Sequence, residues 1–336
     1  KVLGMWVRRI GYWLSVCALA LPMALVAQAS DPATAQLDTV LVTGTQLGPG
    51  LWKVSKDDHV LYVLGIQSPV PKRMAWFSED VLRTVAESQV VLAPPSANFT
   101  GIGFFRGLTL LPSLFRAREN PDKQTLQDVV PPELYARWQS LKAKYLPRSR
   151  KVERWRPVFA GFKLYEEAIE ESGLRSDTGV WKTVRKYAKK HDVDIVLPAV
   201  EITLTEPRDS LKAFAQGELN DIECFDRTLQ RLETYLDAMR ARANAWAVGD
   251  IELLRELPFP DNNAACRDAL LNASVSTEKG FDQLPAQIRE AWLSAAEAAL
   301  AEHEQSFAVL SIQQLLDANS YLDALAARGY DIEAPE

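Results

Sequence analysis

Histidine and cysteine are both scarce in this chain, with three of each in 336 residues. His59, His191 and His303 lie far apart, and none is paired at a spacing such as His-x-x-x-His. Zinc sites draw chiefly on clustered His and Cys, so each histidine reads as a solvated or capping residue and no metal is expected. Also missing are a Gly-x-Ser-x-Gly elbow, a phosphate-cradling loop ending in Lys-Ser/Thr, and a Gly-x-Gly-x-x-Gly fingerprint. The closest approach, Gly101 to Gly107, lacks both the Lys-Ser/Thr ending and a preceding strand, and reads as an apolar lid or packing loop. No cofactor is expected.

Basic clusters are missing too. Acidic residues number 44 against 38 basic ones, and a nucleic-acid partner would need a basic face to neutralise phosphates. The densest basic group, Lys186, Lys189, Lys190 and His191, falls at the end of a predicted helix, where positive charge complements the dipole. Nucleic acid is therefore not expected as a partner.

Long apolar runs are absent except at the start. Arg8 and Arg9 precede a charge-free stretch from Ile10 to Val26, and Ala27-Gln28-Ala29 supplies small residues before Ser30. This is the pattern of a cleaved secretory signal peptide over residues 1–29. The stretch is short for a spanning helix, which wants roughly 20 residues. No span is expected after cleavage, and the location expected is the periplasm or the medium. A lipoprotein reading would acylate Cys17, but Val16 is bulky for the residue before a lipobox cysteine. Without the leader, which holds Lys1, Arg8 and Arg9 and no acid, 35 basic residues face 44 acidic ones, a net charge near −9. Two cysteines remain, Cys224 and Cys266. In an oxidising compartment such a pair reads as a disulfide, the other reading being two buried thiols. The bridge would close a loop of about 40 residues and stabilise by roughly 3–4 kcal/mol.

Residues 30–48 are small and polar and read as a flexible tether, with Val40–Val42 as a candidate edge strand, ahead of a domain over 49–336. Leu51–Ser55 and His59–Leu64 flank Lys56-Asp57-Asp58, the pattern of a hairpin. A helix over Glu79–Ser88 and a buried strand Val90–Leu92 come next, an order that marks an α/β layer. Helices are predicted over 132–145, 157–172 and 180–191, leading into a strand at 193–197. Ile222, Phe225, Leu229, Leu232, Leu236, Met239, Ala243 and Trp246 recur at spacings of three and four, which predicts one long amphipathic helix ended by Gly249. A helix over 285–301, a strand at Phe307–Leu310 and a last helix over 320–327 complete the chain. The fold class expected is α/β (α+β): a central mixed sheet flanked by helices, with a large helical middle insertion.

Three segments carry a family resemblance. Gly50-Leu51-Trp52-Lys53-Val54-Ser55 with Val60 to Gly65, then Trp246-Ala247-Val248-Gly249-Asp250-Ile251, then Phe307-Ala308-Val309-Leu310 with Leu322 to Tyr330, resemble the opening strands, the Trp-x-x-Gly-Asp break and the closing strand and helix of the TraB/PrgY/GumN group. That group is related to the TIKI metalloproteases and, more remotely, to erythromycin-esterase and ChaN-like folds. The resemblance runs from Leu51 to Pro335, and implies a divalent metal held between two Gly-x-x-His motifs and an acid. In this chain the first motif falls on Gly65-Ile66-Gln67-Ser68, the acid on Ala93 or Pro94, and the second motif on Ser311-Ile312-Gln313-Gln314. An Arg-Asn-x-x-Trp/Met segment survives as Ile288-Arg289-Glu290-Ala291-Trp292. A hydroxyl, a methyl and a neutral amide cannot replace imidazole and carboxylate ligands. The resemblance and these losses together imply a pseudoenzyme scaffold that binds an envelope ligand, a peptide or a protein, through Ser68, Lys72, Arg73, Glu201 and Gln314. The alternative is a hydrolase of altered mechanism, with Ser68 as nucleophile and Lys72 as base.

Overall fold

Twelve strands occur among the described residues. In chain order they are β1 (Gly44–Gln46), β2 (Leu51–Lys56), β3 (His59–Ile66), β4 (Val70–Pro71), β5 (Met74–Trp76) and β6 (Val90–Leu92). Then come β7 (Ser96–Thr100), β8 (Leu174–Arg175), β9 (Asp194–Val196), β10 (Ala199–Thr203), β11 (Gln305–Ser311) and β12 (Asp331–Glu333). The computed structural model describes residues 44–46, 49–76, 79–100, 115–203, 207–217, 219–259, 265–270 and 283–335. The chain divides into Lys1–Asp38 and Thr39–Glu336, and every described residue belongs to the second unit. The predicted leader, the Val40–Val42 strand and the Gly101–Gly107 loop lie outside the described residues.

The fold is α+β. Six strands form a mixed sheet in the order β12-β2-β3-β11-β6-β9. β3, β11, β6 and β9 run parallel, while β2 is antiparallel to β3 and β12 is antiparallel to β2. Burial matches this division. Phe307 to Leu310 of β11 and all of β6 are buried, as central parallel strands covered on both faces must be. In β2 only Trp52 and Val54 are buried, in alternation with more exposed neighbours, as befits an antiparallel strand with one face toward water. The hairpin between β2 and β3 turns at Asp57, whose φ of 55° is tolerated better by Asp than by most residues. Helix Leu284–Glu302 packs against β3, β6 and β11.

The ladder between β6 and β9 breaks where prolines remove donors, at Pro94 and Pro95 on one strand and Pro198 on the other. It resumes as β7 paired with β10. Leu92 faces Val196 before the break and Ser96 faces Ala199 after it, so the β6–β7 side carries one extra residue. Ala93 N–H to Val196 O at 2.9 Å and Ser96 N–H to Pro198 O at 3.2 Å bridge the gap. The result is a two-stranded arm continuing past the carboxyl end of the sheet.

The middle of the chain builds a second core from Leu126, Leu134, Trp138, Leu164, Phe225 and Leu229. The helices Pro132–Tyr145 and Pro157–Glu171 begin with proline, as predicted. The long helix is a correction. It is two helices, Ile222–Thr234 and Leu236–Val248, with Tyr235 between them in a non-helical conformation (φ −115°, ψ 8°). The apolar stripe persists, but its parts serve different neighbours. Phe225, Leu229 and Leu232 fill the helical core, Met239 and Ala243 join Ile169 and Leu174, and Trp246 enters the sheet core. Gly249 ends the second helix in the left-handed region at φ 80°. Cys224 and Cys266 form a disulfide. Gly44–Gln46, which reads as tether from its composition, instead pairs in parallel with Met74–Trp76.

Candidate functional site

The positions matched to the presumed metal ligands lie just past three adjacent parallel strands. Gly65 lies near the end of β3 opposite Leu310 of β11, Ile66 lies opposite Ser311, and Leu92 at the end of β6 lies opposite Ala308. Ser68, Gln314 and Ala93 come after those strands within three residues. Ligand sites in open α/β sheets lie beyond such carboxyl ends.

Gly65 is required by packing. A Cβ there would lie 2.6 Å from Ile312 Cδ1, 2.9 Å from Leu315 Cδ1 and 3.1 Å from Trp52 Cζ3. Helix Ile312–Leu316 therefore closes directly over the strand end. The Gly65 carbonyl accepts a 2.7 Å hydrogen bond from Trp246 Nε1, which satisfies an otherwise buried acceptor. Gln67 is fully buried; its Nε2 donates to Ser68 O at 3.2 Å, and its Oε1 has no hydrogen-bond partner among the described residues. Gln67 is absent from the site expected from sequence, although a long amide beside a run of apolar strand residues is a visible signal.

Ser68 is exposed, and its Oγ donates to Ser176 O at 2.9 Å. The Ser68–Pro69 peptide is cis. β4 then pairs with β8, and Lys72 N–H donates to Gly173 O at 2.9 Å, so the loop is laid along residues 173–176. Lys72 Nζ forms an ion pair with Glu170 at 3.2 Å. It does not hydrogen-bond Ser68, and the structure therefore does not assemble the Ser–Lys pair suggested by sequence. Arg73 is exposed beside it. Glu201 is exposed on the arm, opposite Asn98 of β7. Ala93 is buried.

Gln314 occupies the N3 position of a capping box. Its Oε1 accepts from Ser311 N–H at 2.9 Å and from Ser311 Oγ at 3.0 Å, while its own N–H donates to Ser311 Oγ at 3.2 Å. Its Nε2 donates to Tyr321 Oη at 3.4 Å. Burial pushes the Tyr321 phenol up, against a smaller opposing effect of the Arg289 guanidinium and the Gln314 hydrogen bond. Arg289 Cζ lies 4.7 Å from the Tyr321 ring centre and its Nη2 donates to Ser320 O at 2.7 Å. Trp292 meets the same ring edge-on at 5.3 Å. The structure thus joins the 288–292 segment to the 311–314 segment through Tyr321, a residue that no sequence motif marks.

These groups do not suit a divalent cation. The Ser68 hydroxyl is directed at a carbonyl, the Ala93 side chain offers no ligand atom, and the Gln314 oxygen already accepts two hydrogen bonds. No cluster of three or more His, Cys, Asp or Glu with metal-binding geometry occurs among the described residues. No described helix is long and apolar enough to cross a membrane. A model of the TraB/PrgY/gumN family matches residues 50–334. No curated protein and no solved structure matches the chain.

Proposed function

The chain belongs to the TraB/PrgY/gumN family, and from that premise we propose that it is an exported, non-catalytic member that binds an envelope peptide or protein. The observation that carries this reading is the state of the three strand-end positions. Ser68, Ala93 and Gln314 hold a committed hydroxyl, a methyl and a capping amide, none of which activates water through a cation. The binding face comprises Ser68, Lys72, Arg73, Glu201 and Gln314, around the carboxyl ends of β3 and β11 and the arm. Export rests on the sequence alone, on Ile10–Val26 and Ala27-Gln28-Ala29; the mature protein then begins at Ser30 in the periplasm or the medium.

The Ser68 hydrolase reading gains nothing from the geometry, because Lys72 is paired with Glu170 rather than with Ser68. A single preparation of mature protein tests both readings. Elemental analysis should find no stoichiometric metal, chelator should leave the unfolding temperature unchanged, and a serine-reactive phosphonate should not label Ser68. Stoichiometric metal with chelator-sensitive peptidase activity would overturn the non-catalytic reading, and labelling at Ser68 would favour the hydrolase.

A further inference from the structure

Two arginines sit inside the helical layer. Arg231 on helix Ile222–Thr234 is 9% exposed, and Arg242 on helix Leu236–Val248 is 2% exposed. Arg231 Cζ lies 4.9 Å from the ring centre of Tyr165 and 5.3 Å from that of Phe259. Arg242 Cζ lies 4.7 Å from the same Phe259 ring. Aromatic rings attract a guanidinium, but its N–H donors lie in its plane, along the edge.

The edges of the two groups are treated differently. Arg242 Nη1 donates to Leu254 O at 2.5 Å and to Leu257 O at 2.9 Å, capping the end of helix Ile251–Glu256, while its Nε is buried without a partner. Arg231 Nε is likewise buried without a partner, and its guanidinium makes no ion pair or hydrogen bond among the described residues. Burial and then the charge of Arg231 hold the Arg242 guanidinium down to about 10, with Asp317 acting in the opposite direction. Arg156, at 2% exposure, gives the measure of what an enclosed arginine normally receives. Its Nε, Nη1 and Nη2 donate to Glu119 O at 3.3 Å, Gly217 O at 3.0 Å and Ala215 O at 2.7 Å. Leaving a buried charged donor unmatched is costly, and Arg231 alone among these three has no polar match.

We propose that Arg231 and Arg242 form a binding site for a phosphate group, with the free edge of Arg231 as the bidentate fork and Arg242 as the second charge. Two cations side by side favour a dianion over a monocarboxylate, and the in-plane donors of arginine match phosphate oxygens. This inference is independent of the strand-end face, and either can fail without the other.

The test titrates the purified full-length mature protein with inorganic phosphate and with phenyl phosphate, against chloride at equal ionic strength. Either phosphate should raise the unfolding temperature by about 2–4 °C when near-saturating. A response to both identifies a site for the free ion, and a response to phenyl phosphate alone identifies a site for the ester. Arg231→Met should abolish the rise. Should that variant not fold, Arg231→Lys, which keeps the charge but not the fork, should bind about tenfold more weakly. If a carboxylate of the chain itself fills the Arg231 edge, neither phosphate will act on the wild-type protein, and the proposal falls. It falls equally if the rise is unchanged in the folded Arg231 variant.

Discussion

Trp246 and Gly65 are 181 residues apart in sequence, yet the indole Nε1 of one donates to the carbonyl of the other at 2.7 Å. The bond pins the end of helix Leu236–Val248 to the carboxyl end of β3. Trp246→Phe removes the donor and the pyrrole ring, leaving the buried Gly65 oxygen unmatched and a small cavity beside it. It should cost about 1–3 kcal/mol, seen as a lower urea midpoint with an unchanged denaturant slope. No change in midpoint would mean that the carbonyl finds another donor.

Gly65→Ala should be destabilising by about 1–3 kcal/mol, because the new methyl meets Ile312 Cδ1 at 2.6 Å in a filled core. The cause is space rather than backbone strain, since Gly65 is not among the glycines of positive φ. Shortening the neighbour should therefore relieve it. Ile312→Val removes the clashing Cδ1, and the double variant should lose less stability than the sum of the two single ones. Additive losses in a double-mutant cycle would refute a steric origin.

The bridge between Cys224 and Cys266 closes a sequence separation of 42 and ties helix Ile222–Thr234 to the helical residues 265–270. On the chain-entropy estimate it contributes about 4 kcal/mol. Replacing both cysteines by alanine should lower the unfolding temperature of the mature protein. Thiol titration of unfolded, unreduced protein should find neither sulfur free, and two free thiols would contradict the bridge.

Asp221 gives a pH signature. Burial pushes its carboxyl up, while the Val158 N–H bond to its Oδ2, at 2.9 Å, and the nearby Arg156 charge oppose that shift. A raised folded-state pKa means that its favourable contribution is complete below the unfolded value near 3.8 and is lost as pH rises through the folded value. Asp221→Asn retains an acceptor for Val158 and removes the ionisation. The stability of the wild type relative to this variant should therefore increase on going from pH 7 to pH 3.5. A constant difference across that range would show that Asp221 titrates normally.

The strands and helix starts were legible because their signals are local. The Asp57-Asp58 turn, the buried run Phe307–Leu310 and the prolines at 132 and 157 all fall where their chemistry predicts. The break at Tyr235 was not legible, because a spacing of three and four reports which face is apolar and not which core that face meets. The arm escaped for a similar reason: Pro94, Pro95 and Pro198 read as strand ends, and nothing local says that the two interrupted strands resume together. At the candidate site, the family pattern marks Gly65 and Gln314, which lie near the end of β3 and in the helix after β11. Their actual partners, Trp246, Ile312 and Tyr321, are set by tertiary contact. Lys72 reads as a neighbour of Ser68 from sequence distance alone, and only the pairing of β4 with β8 reveals that it turns to Glu170.

The place of β11 between β3 and β6 governs how the molecule can fold. Its residues Gln305–Ser311 pair with Val60–Ile66 on one side and Val90–Leu92 on the other. A chain cut after Glu302 would hold β2, β3, β6 and β9 yet have no continuous sheet. Contacts this distant in sequence are made late and slowly. For the exported protein proposed above, that delay is useful: a polypeptide threading a narrow channel must stay unfolded, and here β11 enters only after both of the strands that it joins.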